Sequence, residues 1–305
     1  MNIHLCSPGH SGSTIIDLYL GSFANSASLG EIIQLPKNIA LDSQCSCGQA
    51  IHACEFWAPV VNSLGERYQR KLWSTPYYLN YAFPVAGDVI DRSRQTRAYL
   101  LNRKVNYALY TLWLSTRFAL FRTLAFQFER GVGQLEELYE TVKSVHGVDV
   151  IVDSSKPYLK SLAIFERDTG RNRLVLLTRD PRGFAYSYVK RGGNFHRSVD
   201  DWRKFYERFF RITETIKASD EVLHLRYEDF VRDPQAAMSG ILDSAGVSAD
   251  KSDTVSHILA GNNARFSDVS TLRPDVGWRE KISSDEERYV QRTCGDLINR
   301  FGYNE

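Results

Sequence analysis

The chain has 305 residues, with 38 Lys and Arg against 36 Asp and Glu and a formal net charge of +2, so its composition does not suggest a non-specific nucleic-acid binder. A hydrophobic content of 43% and a charged content of 24% are those of an ordinary globular protein long enough for a full core. No run of 18 uncharged apolar residues and no basic leader before an apolar stretch is present, so we expect neither a spanning helix nor a signal peptide. Five cysteines, an odd number, favour a reducing, cytoplasmic location.

Four short runs rich in Val, Ile and Leu predict β-strands, each followed by polar turn residues and separated by helix-like stretches. They are Ile3–Cys6, Val148–Asp153, Arg173–Thr178 and Val222–Leu225. Apolar strands that alternate with helices indicate a parallel sheet covered on both faces. The sequence therefore predicts a single α/β domain over residues 1–305, with its ligands at the carboxyl ends of the strands.

Residues 66–127 differ in character because they are crowded with Tyr, Trp and Phe. Helical periodicity over 105–126 predicts a helical insertion packed on the core, which we favour over a membrane-surface helix. Either arrangement lets its inner face line an acceptor pocket. Near the end of the chain, Ser284–Phe301 is predicted to form an amphipathic helix with an acidic first turn.

The first predicted strand runs into the small, Gly-rich segment "SPGHSGST" before a helix-like stretch. Backbone N–H groups at such a strand-to-helix turn attract a phosphate or sulfate. The tight path and the hydroxyl donors come from Pro8, Gly9, Ser11, Gly12, Ser13 and Thr14. A nucleoside-triphosphate loop needs Lys after the last Gly, and here that residue is Ser13, so the loop predicts an anion site of another kind.

A second anion site is predicted after the third strand, in "TRDPRGFAYSYVKRG". Arg179 lies at the strand end, and Ser187 follows eight residues later, about two turns into a helix that begins near Pro181. A guanidinium and a hydroxyl on one edge suit a second phosphate. Two anion sites at adjacent strand ends indicate a nucleoside ligand with a phosphate at each end.

With these segments in order, the sequence resembles the sulfotransferases that use 3′-phosphoadenosine-5′-phosphosulfate (PAPS). "SPGHSGST" is similar to their 5′-phosphosulfate loop and "RDPRGFAYS" to their 3′-phosphate motif. "LRYEDFVRDP" is similar to the segment whose tyrosine, here Tyr227, contacts the adenine side, and "RPDVGWREKIS" would place Arg273 near the 3′-phosphate. The resemblance implies a P-loop-like core, PAPS as co-substrate and transfer without Mg²⁺, because a sulfuryl group carries less charge than a γ-phosphoryl group.

The resemblance also implies roles for three further residues. Glu31 lies 21 residues after His10, a spacing similar to that between the loop's basic residue and the base in the tyrosylprotein sulfotransferase branch, so Glu31 is predicted to be the general base. Lys156 matches a family lysine that contacts the phosphosulfate. His10 stands where the family usually has Lys or Arg; it could stabilise the leaving oxygen as a cation, shape the loop, or serve as the base.

The segment "CSCGQAIHACEFW" places Cys45, Cys47, His52 and Cys54 close together in the chain. Their types suit zinc, but the spacing is not that of a common zinc finger. Reduced structural thiols come first in our order of expectation, a disulfide of Cys54 with Cys47 or Cys45 second, and zinc third. No metal ligand is predicted at the active site.

The predicted activity is transfer of a sulfuryl group to a hydroxyl of a small-molecule, lipid or saccharide acceptor, whose identity the sequence leaves open. Two alternatives remain. A P-loop kinase would need the missing loop lysine and a Mg²⁺-binding aspartate, for which Asp153 is the candidate. A non-catalytic nucleotide-binding module would keep Arg179 and Ser187 but would need no base.

Overall fold

The computed structural model describes residues 1–81, 97–216, 218–247, 257–260, 263–266 and 276–304. Its centre is a sheet of five parallel strands in the order β2-β3-β1-β4-β5. The strands are β1 (Asn2–Cys6), β2 (Ser26–Ser28), β3 (Val150–Asp153), β4 (Asn172–Thr178) and β5 (Val222–Arg226). The α/β class with a parallel sheet, predicted from the sequence, is confirmed.

Side chains on neighbouring positions of a strand point to opposite faces of the sheet, and in β1, β3 and most of β4 the residues on both faces are buried. In β4, Leu174 and Leu176 belong to one apolar core, whereas Val175 and Leu177 belong to the other. These strands therefore lack the apolar–polar alternation of a half-exposed sheet, because helices cover both faces.

Twelve α-helices are present in the described residues. The core on one face includes buried side chains of α3, α6, α7, α9 and α12, and the core on the other includes those of α1, α10 and α11. The bounds are α1 Ser13–Leu20, α2 Leu35–Ala40, α3 Trp57–Tyr68, α4 Arg97–Thr116, α5 Ala119–Leu124, α6 Phe126–His146, α7 Tyr158–Arg167, α8 Pro181–Val189, α9 Phe195–Thr215, α10 Tyr227–Arg232, α11 Pro234–Ala245 and α12 Ser284–Phe301.

Two of these helices follow from local sequence signals. Helix α12 has the predicted bounds and begins with a capping box, in which the Ser283 hydroxyl accepts from the Glu286 N–H and the Glu286 carboxylate accepts from the Ser283 N–H. Helix α8 begins at Pro181, as predicted, and the Asp180 carboxylate accepts from the Arg182 N–H.

Of the described part of the aromatic-rich insertion, residues 97–127 are mostly helical and include α4 and α5, whereas residues 69–81 form turns and one short 3₁₀ helix, Pro76–Tyr78. Its inner side is buried in the main core through Tyr110 and Leu114, while Leu101 and Phe118 remain 63% and 58% exposed. Among the described residues, no helix is both long and apolar enough to cross a membrane. Residues 82–96 of the insertion lie outside the described part.

Candidate active site

A cavity of about 680 Å³ opens at the carboxyl edge of the sheet. A residue that follows each of the five strands lines it: Gly12 after β1, Glu31 after β2, Lys156 after β3, Arg179 after β4 and Tyr227 after β5. Parallel strands bring their carboxyl ends to one edge, so residues distant in the chain converge here. The volume is within the usual range for a small-molecule site.

The Gly-rich loop leads from β1 into α1, and Gly9, His10, Gly12, Ser13 and Thr14 all line the cavity. Gly12 has a φ of +91° and caps the helix, whose first-turn N–H groups have few internal partners and so suit an anion. A Cβ at Gly12 would lie 2.4 Å from Cδ2 of Tyr227. Gly12 is therefore needed both for its backbone conformation and for the close approach of the tyrosine.

The cavity is strongly basic. Among the described residues that line it, Glu31 is the single acidic side chain, against six Lys and Arg: Lys37, Lys156, Arg179, Lys190, Arg191 and Arg265. Cations gathered in a concave surface focus a positive potential and raise the local concentration of anions. The overall net charge of +2 conceals this local excess.

Arg179 and Ser187, predicted to hold one phosphate together, line the same cavity. The Arg179 side chain is buried, donates a 3.0 Å hydrogen bond to the carbonyl of His10 and lies 4.7 Å from the centre of the Tyr227 ring. Arg179 therefore links the Gly-rich loop of β1 to the start of α10, in addition to supplying positive charge.

Glu31 and Lys156, 125 positions apart, form an ion pair inside the cavity. The backbone explains their meeting: Leu29 N–H donates to Val152 and Ser154 N–H donates to Gly30, so the chain after β2 runs beside the end of β3. The second Glu31 oxygen accepts a 2.7 Å hydrogen bond from Nε2 of Gln34. Glu31 is thus held in place by both of its oxygens.

Burial is the main cause that lowers the pKa of Lys156 to about 8; the charge of Asp17 opposes the shift and that of Arg191 adds to it. The ion pair with Glu31 favours the charged amine, so Lys156 carries its charge near neutral pH. Its stem lies against the loop, since a Cβ on Gly9 would be 3.6 Å from Cε of Lys156. An amine so placed can reach an anion held by the loop.

His10 is a neutral imidazole in this arrangement. Burial, with Arg191, Lys156 and Arg179 nearby, lowers its pKa to about 4. Its ring contacts the Tyr188 ring edge-on at 4.4 Å, and its φ of 70° is in the left-handed region. Of the three roles left open for His10, that of a cation does not fit a neutral ring, whereas those of shaping the loop and of accepting a proton do.

The aspartate that a kinase would need for Mg²⁺ is engaged elsewhere. Asp153 is 1% exposed and forms an ion pair with Lys160. It also accepts hydrogen bonds from the Tyr139 hydroxyl and the Ser155 N–H. Asp153 does not line the cavity, and its oxygens already have partners that a metal ion would have to displace.

Two predicted ligand-binding residues are not among the described residues that line the cavity. Ser11 is fully buried behind the loop and does not line the cavity, so its expected place as a hydroxyl donor to the ligand is not reproduced. Arg273 lies outside the described residues. Sequence analysis missed the cations Lys37, Lys190, Arg191 and Arg265; of these, Lys190 and Arg191 directly continue the helix that carries Ser187 and could have been found from that position.

The sulfotransferase family model matches residues 88–251, more than half of the chain, and the chain therefore belongs to the sulfotransferase family. Carbohydrate sulfotransferase 1 of Danio rerio is 26% identical over 163 residues, which cover 43% of this chain and 38% of that protein. The family match includes Lys156, Arg179, Ser187 and Tyr227, but not the Gly-rich loop or Glu31.

Among solved structures, the sulfotransferase domain from the curacin biosynthetic pathway superposes with a TM-score of 0.47 at 16% identity, covering 97% of this chain and 96% of that one. The sulfotransferase domain from the Synechococcus PCC 7002 olefin synthase gives a TM-score of 0.46 at 18% identity, covering 96% and 93%. At scores this low, the fold assignment depends on the sheet topology itself.

Proposed function

We propose that this sulfotransferase uses PAPS as its donor and transfers the sulfuryl group to a hydroxyl of a small-molecule, lipid or saccharide acceptor. The observation that carries the proposal is the convergence of the two anion motifs and six basic side chains in one cavity. Arg179 and Ser187 are assigned to the 3′-phosphate, and Tyr227 to the adenine side. The 5′-phosphosulfate is assigned to the loop residues Gly9, Gly12, Ser13 and Thr14.

The residues present suit that donor. Helix α1 directs its first-turn N–H groups to the loop, and Lys156 lies against Gly9. These donors match a bridging oxygen that gains negative charge as sulfur departs. Arg273, by resemblance, would add a contact to the 3′-phosphate. The assignment calls for no Mg²⁺ in the transfer step.

In the proposed reaction, Glu31 accepts the proton of the acceptor hydroxyl as that oxygen bonds to sulfur. The bond between sulfur and the bridging oxygen breaks in line, and 3′-phosphoadenosine-5′-phosphate leaves with the electron pair. Lys156, paired with Glu31 in the structure, donates to the bridging oxygen when the donor is bound. Its move away from Glu31 would leave the carboxylate free to act as the base.

The acceptor side of the cavity is polar beside Glu31. Gln34, Lys37, Asn38 and Ser43 line it there, from the 3₁₀ turn before α2, from α2 itself and from the loop after it. Amide and hydroxyl groups suit an acceptor with several hydroxyls. With the similarity to a protein named a carbohydrate sulfotransferase, this makes saccharides the first acceptors to test.

Calorimetry with 3′-phosphoadenosine-5′-phosphate and with 5′-AMP tests the donor. The two ligands differ by the 3′-phosphate, and charged hydrogen bonds to it contribute about 1.5–3 kcal/mol, so we expect binding about 10- to 150-fold tighter with the 3′-phosphate. Equal affinities would contradict a dedicated 3′-phosphate site and with it the choice of PAPS.

A further inference from the structure

Four side chains of metal-ligand type meet outside the active site. Cys45, Cys47 and Cys54 come from the loop between α2 and α3, and His257 comes from a segment about 200 positions later. Their sulfur and ring-nitrogen atoms all lie within 4.8 Å of one another. The sequence spacing concealed this set, because it suggested the exposed His52 as the fourth member, and His52 instead pairs with Asp42.

The separations match a tetrahedral metal site. With zinc–sulfur bonds of about 2.3 Å and zinc–nitrogen bonds of about 2.0 Å, tetrahedral edges are about 3.8 Å between sulfurs and about 3.5 Å from sulfur to nitrogen. The structure has 3.7 Å between Sγ of Cys47 and Cys54. From Nδ1 of His257 it has 3.4 Å to Cys54 and 3.8 Å to Cys45.

The local backbone presents the sulfurs as a ligand loop would. The N–H of Cys47 points at the sulfur of Cys45, and the N–H groups of Phe56 and Trp57 point at the sulfur of Cys54. Hydrogen bonds of this kind stabilise thiolates that bind a metal. Gly48, with a φ of +90°, provides the turn that brings the chain back between Cys47 and Cys54.

A disulfide does not account for this arrangement. All five cysteines are free thiols, and the 3.7 Å separation between Cys47 and Cys54 is far longer than the roughly 2.05 Å of a disulfide. Cys45 and Cys54 are fully buried, whereas Cys47 and His257 border a surface cavity, which gives an ion a route of access. Three thiolates and an imidazole complete four-coordination, the pattern of a structural rather than a catalytic zinc site.

The cluster connects to the active site through the backbone. Ser46 and Ile258 exchange hydrogen bonds of 2.8 and 3.1 Å, and Leu259 pairs with Gly30, the neighbour of Glu31. Ala260, next along this segment, lines the active-site cavity. Arg265 also lines that cavity and lies close enough to Cys45 for their charges to interact.

We propose that Cys45, Cys47, Cys54 and His257 bind one structural Zn²⁺, which fixes residues 257–260 against the loop that carries Glu31. The metal lies apart from the transferred group and takes no part in the chemistry. The proposal does not depend on the identity of the sulfuryl donor.

Elemental analysis of the protein purified under reducing conditions from zinc-supplemented medium tests the site. We expect one zinc per chain in the wild type, and well under half of that in Cys47→Ser and in His257→Gln. Cys294→Ser is the matched control, because Cys294 is a buried free thiol outside the cluster, and it should keep one zinc. Zinc retained by both cluster variants would overturn the assignment.

Cobalt substitution of the wild type decides the question if the variants fail to fold. Stripped, reduced protein should take up one Co²⁺ and show the intense visible bands of tetrahedral cobalt–thiolate coordination. Removal of the metal should raise amide hydrogen exchange in residues 29–33 and 257–260 above that of the metal-loaded protein. Wild-type protein with less than a tenth of an equivalent of zinc and no cobalt spectrum, or with a Cys47–Cys54 disulfide, would refute the proposal.

Discussion

Replacement of Glu31 by Gln separates the proposed base from its surroundings. The amide keeps the size of the side chain and a hydrogen-bond acceptor for Lys156 or Gln34, but it cannot take a proton from the acceptor. Loss of a positioned general base costs about 10²–10⁴ in rate, so turnover should fall by that factor. An exposed Glu on α3, Glu66, provides the control, and Glu66→Gln should leave the rate unchanged.

The affinity of Glu31→Gln for the donor, unlike its turnover, should not decrease. The change removes the carboxylate that pairs with Lys156 in the free enzyme, and a partly exposed pair of this kind is worth at most about 1 kcal/mol. Calorimetry with 3′-phosphoadenosine-5′-phosphate should therefore give binding that is unchanged or up to about fivefold tighter. A variant with wild-type turnover, or one whose slower rate comes entirely from weaker donor binding, would refute the role of Glu31 as base.

Three further predictions concern the donor site. Arg179→Ala should weaken binding of 3′-phosphoadenosine-5′-phosphate by about 1.5–3 kcal/mol in calorimetry, whereas the exposed control Arg171→Ala should not change it; equal affinity in Arg179→Ala would remove the 3′-phosphate assignment. Because the pKa of Lys156 is lowered to about 8, its amine loses its charge as pH rises through that value, and kcat/KM for the donor should fall above about pH 8 in steady-state assays. In Lys156→Arg, the fall should begin at a higher pH than in the wild type. A wild-type profile that stays flat to pH 10 would contradict this role of Lys156. Turnover should persist when Mg²⁺ is omitted and EDTA is present during a short assay, and a rate restored only by Mg²⁺ would favour kinase-like chemistry.

The sequence predicted the parts of the sheet that are apolar and regular. For three of the four predicted strands, the first and last residues are each within one residue of the observed bounds. The fourth was predicted to begin at Val148 and begins at Val150. Strand β2 was missed because its three residues, Ser26–Ser28, carry no branched apolar side chain and no alternation. It forms a strand because β3 offers a free edge beside it, which is a tertiary effect.

The candidate site was predictable where one segment carries the signal. Gly12 with its loop and Arg179 with Ser187 were found because each group lies within a short motif, and the structure brings both to one cavity. The pairing of Glu31 with Lys156 was not predicted, since it depends on β2 lying beside β3. The meeting of His257 with the cysteine loop likewise joins segments that no local pattern connects.

In the proposed reaction, this chain transfers a sulfuryl group from PAPS with Glu31 as the base. To test this, the purified protein is incubated with PAPS labelled with ³⁵S and, in separate assays, with a panel of saccharides, with lipids and with a metabolite extract, and the label is followed into an acceptor by chromatography and mass spectrometry. We expect label in at least one hydroxyl acceptor, with a gain of one SO₃ group, and a rate of labelling about 10²–10⁴ lower with Glu31→Gln. Transfer at the same rate by the wild type and Glu31→Gln, or intact PAPS bound with no transfer to saccharides, lipids or a metabolite extract, would contradict it.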